Sequence, residues 1–394
     1  MPAASSIRIL WLGSAFDEAT MLASPAISPA ANRWQVGLLG ALKDVGADIH
    51  LLGHKPERAW PYGPPFIRGG WGLEHLSEST DKTPQRLLGY CNFPWLREQV
   101  LTRQYVLAFR HFLCHGLLPH CVLCYNVYPR SLAVAREAQR MGIPWVPVIA
   151  DAPGDPAAYA HLERYISNAS GCVFLSWSSY SRWQGEPKLH LDGGVAKVPE
   201  RQLDSPATNG PKVVFYSGAL DQYGGIELLL GAFALIQDPA VRLWICGKGG
   251  NNKMRQMLQT DSRITFFGCV SEEDLRGLSH QAWVMVNPRP THEMDNRHNF
   301  PSKLLEYLSY GKPVVSTLTP GIAPEYAPLL SVPIEETPEA LAQCLQDVLA
   351  WPLAKRAAHA RAAGLFLAGR KTWQCQAARL DEFLRGIIRA NAQT

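Results

Sequence analysis

The chain has 394 residues, 47% apolar and 18% charged, with 30 prolines, 32 glycines and a net charge of +4. That length exceeds one ordinary core and suits two domains. The mild, dispersed charge and the lack of any finger, RRM or basic-arm pattern exclude nucleic acid as a partner. Nine cysteines, an odd number scattered through apolar runs, fit reduced, buried thiols in a cytoplasmic protein. The N-terminus lacks a signal-peptide layout, and no apolar run reaches the ~18 residues of a membrane span.

In chain order, "IRILWLG" reads as a first strand, "AANRWQVGLLGALKDVG" as a helix and "ADIHLLG" as a second strand. The Pro/Gly/aromatic stretch "HKPERAWPYGPPFIRGGWG" reads as a long loop, either an acceptor lid or a packing element. A helix near 96–113 follows, then strand "CVLCYNVY", helix "SLAVAREAQRMG" and strands "PWVPVIAD" and "GCVFLSW". Residues 199–211, polar and rich in turn formers, read as a linker. A second series runs "KVVFYSG", "GGIELLLGAFALI", "VRLWICG", a helix near "NNKMRQMLQ", "ITFFG", "SEEDLRGLSHQ" and "AWVMVNP". The chain is helical from about residue 338. The fold class is therefore α/β: two Rossmann-like, doubly wound domains, expected to bind a ligand at strand C-terminal ends in a cleft. The boundaries are 1–205, 211–365 and a C-terminal helical segment, 366–394.

"NFPSKLLEYLSYGKPVVST" (299–317) reads as loop, helix, turn and buried strand, with Pro301 in the first helical turn and Gly311 and Pro313 ending it. Lys303 and Glu306 share one face of that first turn, where free amides and the dipole favour an anion. The bland alternative for Glu306 is a solvated acid favoured by the dipole. A dinucleotide fingerprint is missing after the first strand, "CGKGGNN" matches it only in part, and no P-loop occurs. With no D-x-D, a metal-bridged diphosphate lacks support, and the expected metal and cofactor content is none. "HFLCHGLLPHCVLC" invites a zinc site, but Cys121 and Cys124, three apart on a strand, point to opposite faces. The helix carrying Arg97, Arg103 and Arg110 reads as a core helix with snorkelling arginines, or as a face resting on an anionic membrane.

"VVFYSGALDQYGGIELLLGAF", "VRLWICGKGG", "ITFFGCVSEEDLRGLSHQAWVMVNPR" and "NFPSKLLEYLSYGKPVVST" occur in the order and spacing of the C-terminal domain of family 4 glycosyltransferases, which the chain resembles over roughly 211–320. "NRWQVGLLGALKDVGADIHLLG" and "CYNVYPRSLAVAREAQRMGIPWVPVIADAPGD" look like the acceptor-side segments. "LAGRKTWQCQAARLDEFL", with Trp373, is similar to the closing helices that cross back to the first domain. The resemblance implies the GT-B fold, retaining chemistry, a nucleotide-diphosphate sugar (UDP- or GDP-linked) as donor, and a glycan or lipid-linked acceptor. It also implies polysaccharide or lipopolysaccharide assembly in the cytoplasm, with peripheral contact at the inner membrane face.

The donor residues it implies are Gly218 and Ala219 after the first strand, Lys248, Val270, Arg297, Phe300, Pro301, Ser302, Leu304 and Glu306. Glu306 would hold the ribose hydroxyls and the amides around Ser302 the phosphates. The sequence departs from the pattern at three places: Ala219 and Gly224 replace an Arg and a Lys that grip the diphosphate, and His298 replaces the first Glu of E-x7-E. Arg289 and Lys303 are the replacements favoured for the missing cations, ahead of Arg297 and Lys248. His298 would donate to a sugar hydroxyl or a phosphate. Asp151 would orient or deprotonate the acceptor, beside Tyr125 and Asn126; its bland alternative is a turn cap. A non-catalytic nucleotide-sugar-binding subunit and a sugar-nucleotide epimerase of the same fold are the rival readings.

Overall fold

The computed structural model describes residues 6–74, 83–196, 210–250 and 261–393. The chain divides into two compact units, Met1–Ala196 with Trp373–Thr394, and Lys197–Thr372. The expected linker, except its last two residues, and the expected helix near 251–259 lie outside the described residues. The C-terminal segment joins the first unit from Trp373 rather than from 366.

In the first unit the strands are β1 (Arg8–Leu12), β2 (Asp48–Gly53), β3 (Phe66–Ile67), β4 (Gly70–Glu74), β5 (Thr83–Leu87), β6 (Tyr90–Cys91), β7 (Cys121–Tyr125), β8 (Trp145–Ile149), β9 (Cys172–Phe174) and β10 (Lys188–His190). Eight of them form one sheet in the order β10-β9-β8-β7-β1-β2-β5-β4, parallel except for β4 against β5. The helices are α1 (Glu18–Ala23), α2 (Pro29–Asp44), α3 (Arg97–Cys114), α4 (Pro129–Arg140), α5 (Pro156–Ile166) and α6 (Trp177–Arg182). Two begin with a side-chain cap followed by proline: Ser28 accepts from Ala31 N–H before Pro29, and Asp155 from Ala158 N–H before Pro156.

The aromatic stretch 54–72 is not simply a loop. It contains β3, which pairs antiparallel with β6, and the start of β4. Strands of two residues carry no readable period, and the prolines and glycines around them mask the pairing. Both sheet faces are buried. One core packs Ile9, Trp11 and Cys121 against α2, and the other packs Leu10, Leu12 and Cys124 against α3 and α4. Cys121 and Cys124 thus lie on opposite faces, and burial pushes the Cys121 thiol up to about 12.

The second unit is an all-parallel sheet of six strands: β11 (Lys212–Ser217), β12 (Val241–Cys246), β13 (Ile264–Gly268), β14 (Val284–Asn287), β15 (Val314–Ser316) and β16 (Leu330–Ser331). Their order is β13-β12-β11-β14-β15-β16. Its described helices are α7 (Ile226–Leu235), α8 (Glu272–Gln281), α9 (Met294–Arg297), α10 (Lys303–Ser309), α11 (Pro338–Leu349) and α12 (Leu353–Arg370). The last helix, α13 (Trp373–Asn391), packs on α2 of the first unit, where Trp373 lies edge-on to Trp34 at 6.3 Å.

Each sheet has a point where the strand order reverses. In the first unit it falls between β1 and β7, and in the second between β11 and β14. Loops leaving neighbouring strands there diverge to opposite faces and leave a crevice at the strand C-terminal ends.

Candidate functional site

In the second unit the crevice is built around Tyr307 of α10. Its buried hydroxyl accepts from Ser217 N–H at 2.8 Å and donates to Ser217 C=O at 3.0 Å. Helix α10 is thereby fastened to the end of β11, and burial holds the phenol protonated. Gly311 follows the helix at φ +63°, the left-handed position that ends many helices. Pro301 is not in the first turn, since the helix begins at Lys303. The Pro301 carbonyl instead accepts from Leu304 N–H at 2.8 Å.

Lys303 and Glu306 share the first turn, and their side chains form an ion pair at 2.9 Å, each about a quarter exposed. The lysine therefore holds the carboxylate in this structure instead of standing apart from it. A ligand must insert between them or bind them as a unit.

The loop after β11 is closed by its own side chains. The Tyr216 hydroxyl donates to Ala219 C=O at 2.6 Å, and Asp221 accepts from Gly224 N–H at 2.8 Å. A Cβ at Gly224 would stand 2.3 Å from the Ala219 carbonyl and 2.4 Å from the Tyr216 hydroxyl. The position where the resemblance leads one to look for a lysine has no room for a side chain. Gly225, at φ +73°, lies so close to the Pro288 carbonyl that a Cβ would sit 1.8 Å from it. Asn296, 2% exposed, donates to the carbonyls of Tyr223 and Pro290 at 3.0 and 2.9 Å. The two loops flanking the reversal point are thus one hydrogen-bonded body.

Arg289 leaves β14 into this body, near Tyr216, Tyr307 and the charged Asp221. Burial lowers its basicity, and those neighbours partly restore it. A desolvated guanidinium at the reversal point is a strong electrostatic element. Gly218 N–H donates to Cys246 C=O at 3.0 Å and Leu220 N–H to Lys248 C=O at 3.0 Å, bringing the β12 exit alongside. Gly218, Ala219, Lys248 and Arg289 therefore belong to one group of loops, and Lys303 and Glu306 to the helix that Tyr307 fastens to β11.

Other expected residues sit differently. Leu304 is fully buried and Pro301 is buried, so only their backbones can meet a ligand. Phe300 packs on Tyr326 at 5.5 Å. Ser302 is exposed at the N-cap without a side-chain cap bond, and Val270 is half-buried just beyond β13. Arg297 ends α9, exposed, and His298 follows half-buried as its C-cap.

In the first unit, Tyr125, Asn126 and Asp151 meet at the ends of β7 and β8. Asn126 has φ +56°, rare for a residue with a side chain. Its Oδ1 accepts from the N–H groups of Ala150 and Asp151 at 2.8 and 3.1 Å, and its Nδ2 donates to Asp151 Oδ2 at 3.1 Å. Strained backbone held by this many bonds is characteristic of functional sites. The Asp151 carboxylate remains exposed. Tyr125 packs against Trp11 and Trp34, and burial raises its phenol.

Sequence reasoning missed a cavity of about 440 Å³ at the same reversal point, between the exits of β1, β2 and β7. Its polar wall includes His54 after β2, Arg97, Glu98 and Tyr105 on α3, and Arg130 on α4, three elements that no local spacing links. Only Arg97 and its helix stood out in the sequence. Burial, and then the fields of Arg130 and Arg97, depress His54 to about 3. Unfolded, the ring titrates near 6.5. Between these values the unfolded chain binds the extra proton, so stability present above pH 6.5 is lost as pH falls towards 3, by about 1.4 kcal/mol per pH unit. Urea unfolding between pH 6 and 4 should show this slope, and His54→Gln should reduce it by one proton's worth. An unchanged slope would contradict the neutral ring.

With this geometry in place, residues 211–350 match the model of the family described as Glycosyl transferases group 1. No curated protein matches the chain significantly by sequence. Among solved structures, sucrose-phosphate synthase from Thermosynechococcus elongatus is 18% identical with a TM-score of 0.69, covering 97% of this chain and 100% of that one. The Anabaena protein HepE in complex with UDP is 15% identical with a TM-score of 0.66, covering 96% and 100%. The lipopolysaccharide outer core galactosyltransferase WaaB is 15% identical with a TM-score of 0.59, covering 92% and 96%. Within the second unit, residues 211–350 thus resemble a group 1 glycosyltransferase domain, in a chain of GT-B fold.

Proposed function

We propose that the chain moves a sugar, with retention of anomeric configuration, from a nucleoside-diphosphate sugar to a hydroxyl of a glycan or lipid-linked acceptor. The observation that carries the reading is the grouping of Arg289, Lys303 and Glu306 around the Tyr307 clamp at the reversal point of the group 1 domain. In this reading Glu306 receives the ribose hydroxyls. Lys303, released from its ion pair, and Arg289 oppose the charge that grows on the departing diphosphate. His298 donates to the transferred sugar or to a phosphate. Lys248 and Arg297, both exposed, add charge at the rim. A UDP-linked donor is favoured because HepE was solved with UDP and with UDP-glucose.

The first unit takes the acceptor, with Asp151 orienting or deprotonating its hydroxyl from a position fixed by Asn126. Lipopolysaccharide or surface-polysaccharide assembly is the setting, a reading that leans on the likeness to WaaB. No described helix is long and apolar enough to cross a membrane. Peripheral membrane contact draws support from aromatic side chains around β3 and β6, where Tyr62 is 85% and Trp95 65% exposed.

The test is turnover of UDP- and GDP-sugars with and without acceptor glycans, with product configuration read by NMR. Retention with activity surviving EDTA is expected. Binding without turnover of any donor would favour the non-catalytic subunit, and interconversion of free sugar nucleotides the epimerase.

A further inference from the structure

The charged part of the cavity wall at the reversal point of the first unit sets two guanidinium groups, Arg97 and Arg130, against one carboxylate, Glu98. Arg97, at the start of α3, donates from Nη1 to Glu57 C=O at 3.2 Å and stacks over Tyr90 at 5.5 Å. Among the described residues it forms no ion pair with a carboxylate. Arg130, on α4, is held at 2.7 Å by Glu98 and lies over the Tyr128 ring at 4.1 Å. Glu98 also accepts from the Arg130 N–H at 3.2 Å, so this one carboxylate is committed to one of the two guanidinium groups.

The third donor is His54. The Tyr105 hydroxyl, near Arg130, lies 3.0 Å from His54 Nδ1. With the ring neutral, as burial beside two arginines requires, His54 can offer a donor but no charge. Two guanidinium groups and an imidazole N–H against a single, already paired carboxylate leave the cavity short of acceptors by about one negative charge. Its volume, about 440 Å³, lies within the ~300–1,000 Å³ range of small-molecule sites. Tyr105, Tyr125 and Tyr128 supply rings and hydroxyls to its lining, as suits a sugar.

We propose that this cavity receives an acceptor sugar bearing an anionic group, a carboxylate or a phosphate ester, with Arg97 as its principal counter-charge and Arg130 and the His54 imidazole beside it. The proposal rests on the reading that the first unit takes the acceptor, and it narrows that acceptor to acidic sugars. A guanidinium is suited to both anions because its planar fork bonds two oxygens at once.

Calorimetric titration of the full chain tests it with four probes: methyl β-glucoside, glucuronate, glucose 6-phosphate and inorganic phosphate. One of the two acidic sugars is expected to bind at least tenfold more tightly than the neutral glucoside, and which one does so separates carboxylate from phosphate. Arg97→Gln should remove at least tenfold of that affinity while leaving UDP binding alone, and Arg97→Lys should restore only part of it. Equal binding of the neutral glucoside, inorganic phosphate binding as tightly as the sugar phosphate, or unchanged affinity in both variants would overturn the proposal. So would the absence of binding by either acidic sugar at 10-millimolar order. If Arg97→Gln does not fold, the Arg97→Lys arm decides, since loss of the fork alone should weaken the acidic probe. A parallel UDP titration of the unaltered chain tests the donor reading by itself, so failure there is distinguishable from failure here.

Discussion

Glu306→Gln is expected to raise the Kd of whichever nucleotide the chain selects from UDP, GDP and ADP by roughly ten- to a hundredfold. Losing hydrogen bonds from two vicinal hydroxyls to a charged acceptor costs on the order of 1.5–3 kcal/mol, and each 1.4 kcal/mol is about tenfold. The carboxylate is well fixed for that role. Its neighbour Tyr307 ties α10 to Ser217 with two hydrogen bonds, so the helix cannot drift to accommodate a poor ligand. The ion pair with Lys303 complicates the outcome in a defined way. Glutamine leaves the ammonium without its partner, and a freed Lys303 attracts the diphosphate more strongly. The measured loss should therefore be smaller for the diphosphate than for the corresponding nucleoside, which lacks phosphate. Lys303→Met should show the opposite order, weakening the diphosphate and sparing the nucleoside. Calorimetry on both ligands reads the pattern, and an unchanged Kd in Glu306→Gln would remove the ribose role.

Periodic elements were legible in the sequence, and close approaches between distant elements were not. The strand-and-helix alternation of both units, the end of α10 at Gly311 and the extended "VVST" follow from local pattern and turn chemistry. Trp373 could be placed by resemblance, but its seat could not. Cβ atoms at Gly37 and Gly194 would come within 2.2 and 2.7 Å of its ring, and neither glycine announces itself as the floor of an indole site. Gly224 is a similar case. Its sequence signal was only a missing lysine, whereas the structure shows why none fits: Tyr216, eight residues earlier, fills that space. The pairing of Lys303 with Glu306 was foreshadowed by their i, i+3 spacing, yet ligand geometry drew the reading towards separate roles. The cavity of the first unit was invisible because its arginines, histidine and tyrosines come from segments far apart in the chain. Side chains meeting across a sheet's reversal point leave no period behind.

Arg289→Met should lower the rate of donor turnover by about 10²–10³ while leaving the folded state intact or slightly firmer. Removing one preorganised group that faces developing charge costs this much in other active sites. Here the loss should be at the upper end, because Ala219 and Gly224 supply no cation from the β11 loop and Gly224 has no space for one. Stability should move the other way. Arg289 is partly buried, and it has no carboxylate within ion-pair distance among the described residues. Replacing a partly buried, unpaired charge by an apolar side chain of similar length is often neutral or stabilising. The loop around it does not need the guanidinium, since Tyr216, Asp221 and Asn296 hold it by their own hydrogen bonds. Slow hydrolysis of the sugar nucleotide without acceptor provides the rate, and thermal unfolding provides the control. A fall in rate with an unchanged or raised Tm assigns Arg289 to the leaving group. Turnover within about fivefold of the unaltered chain would instead place the charge stabilisation on Lys303 and the rim cations.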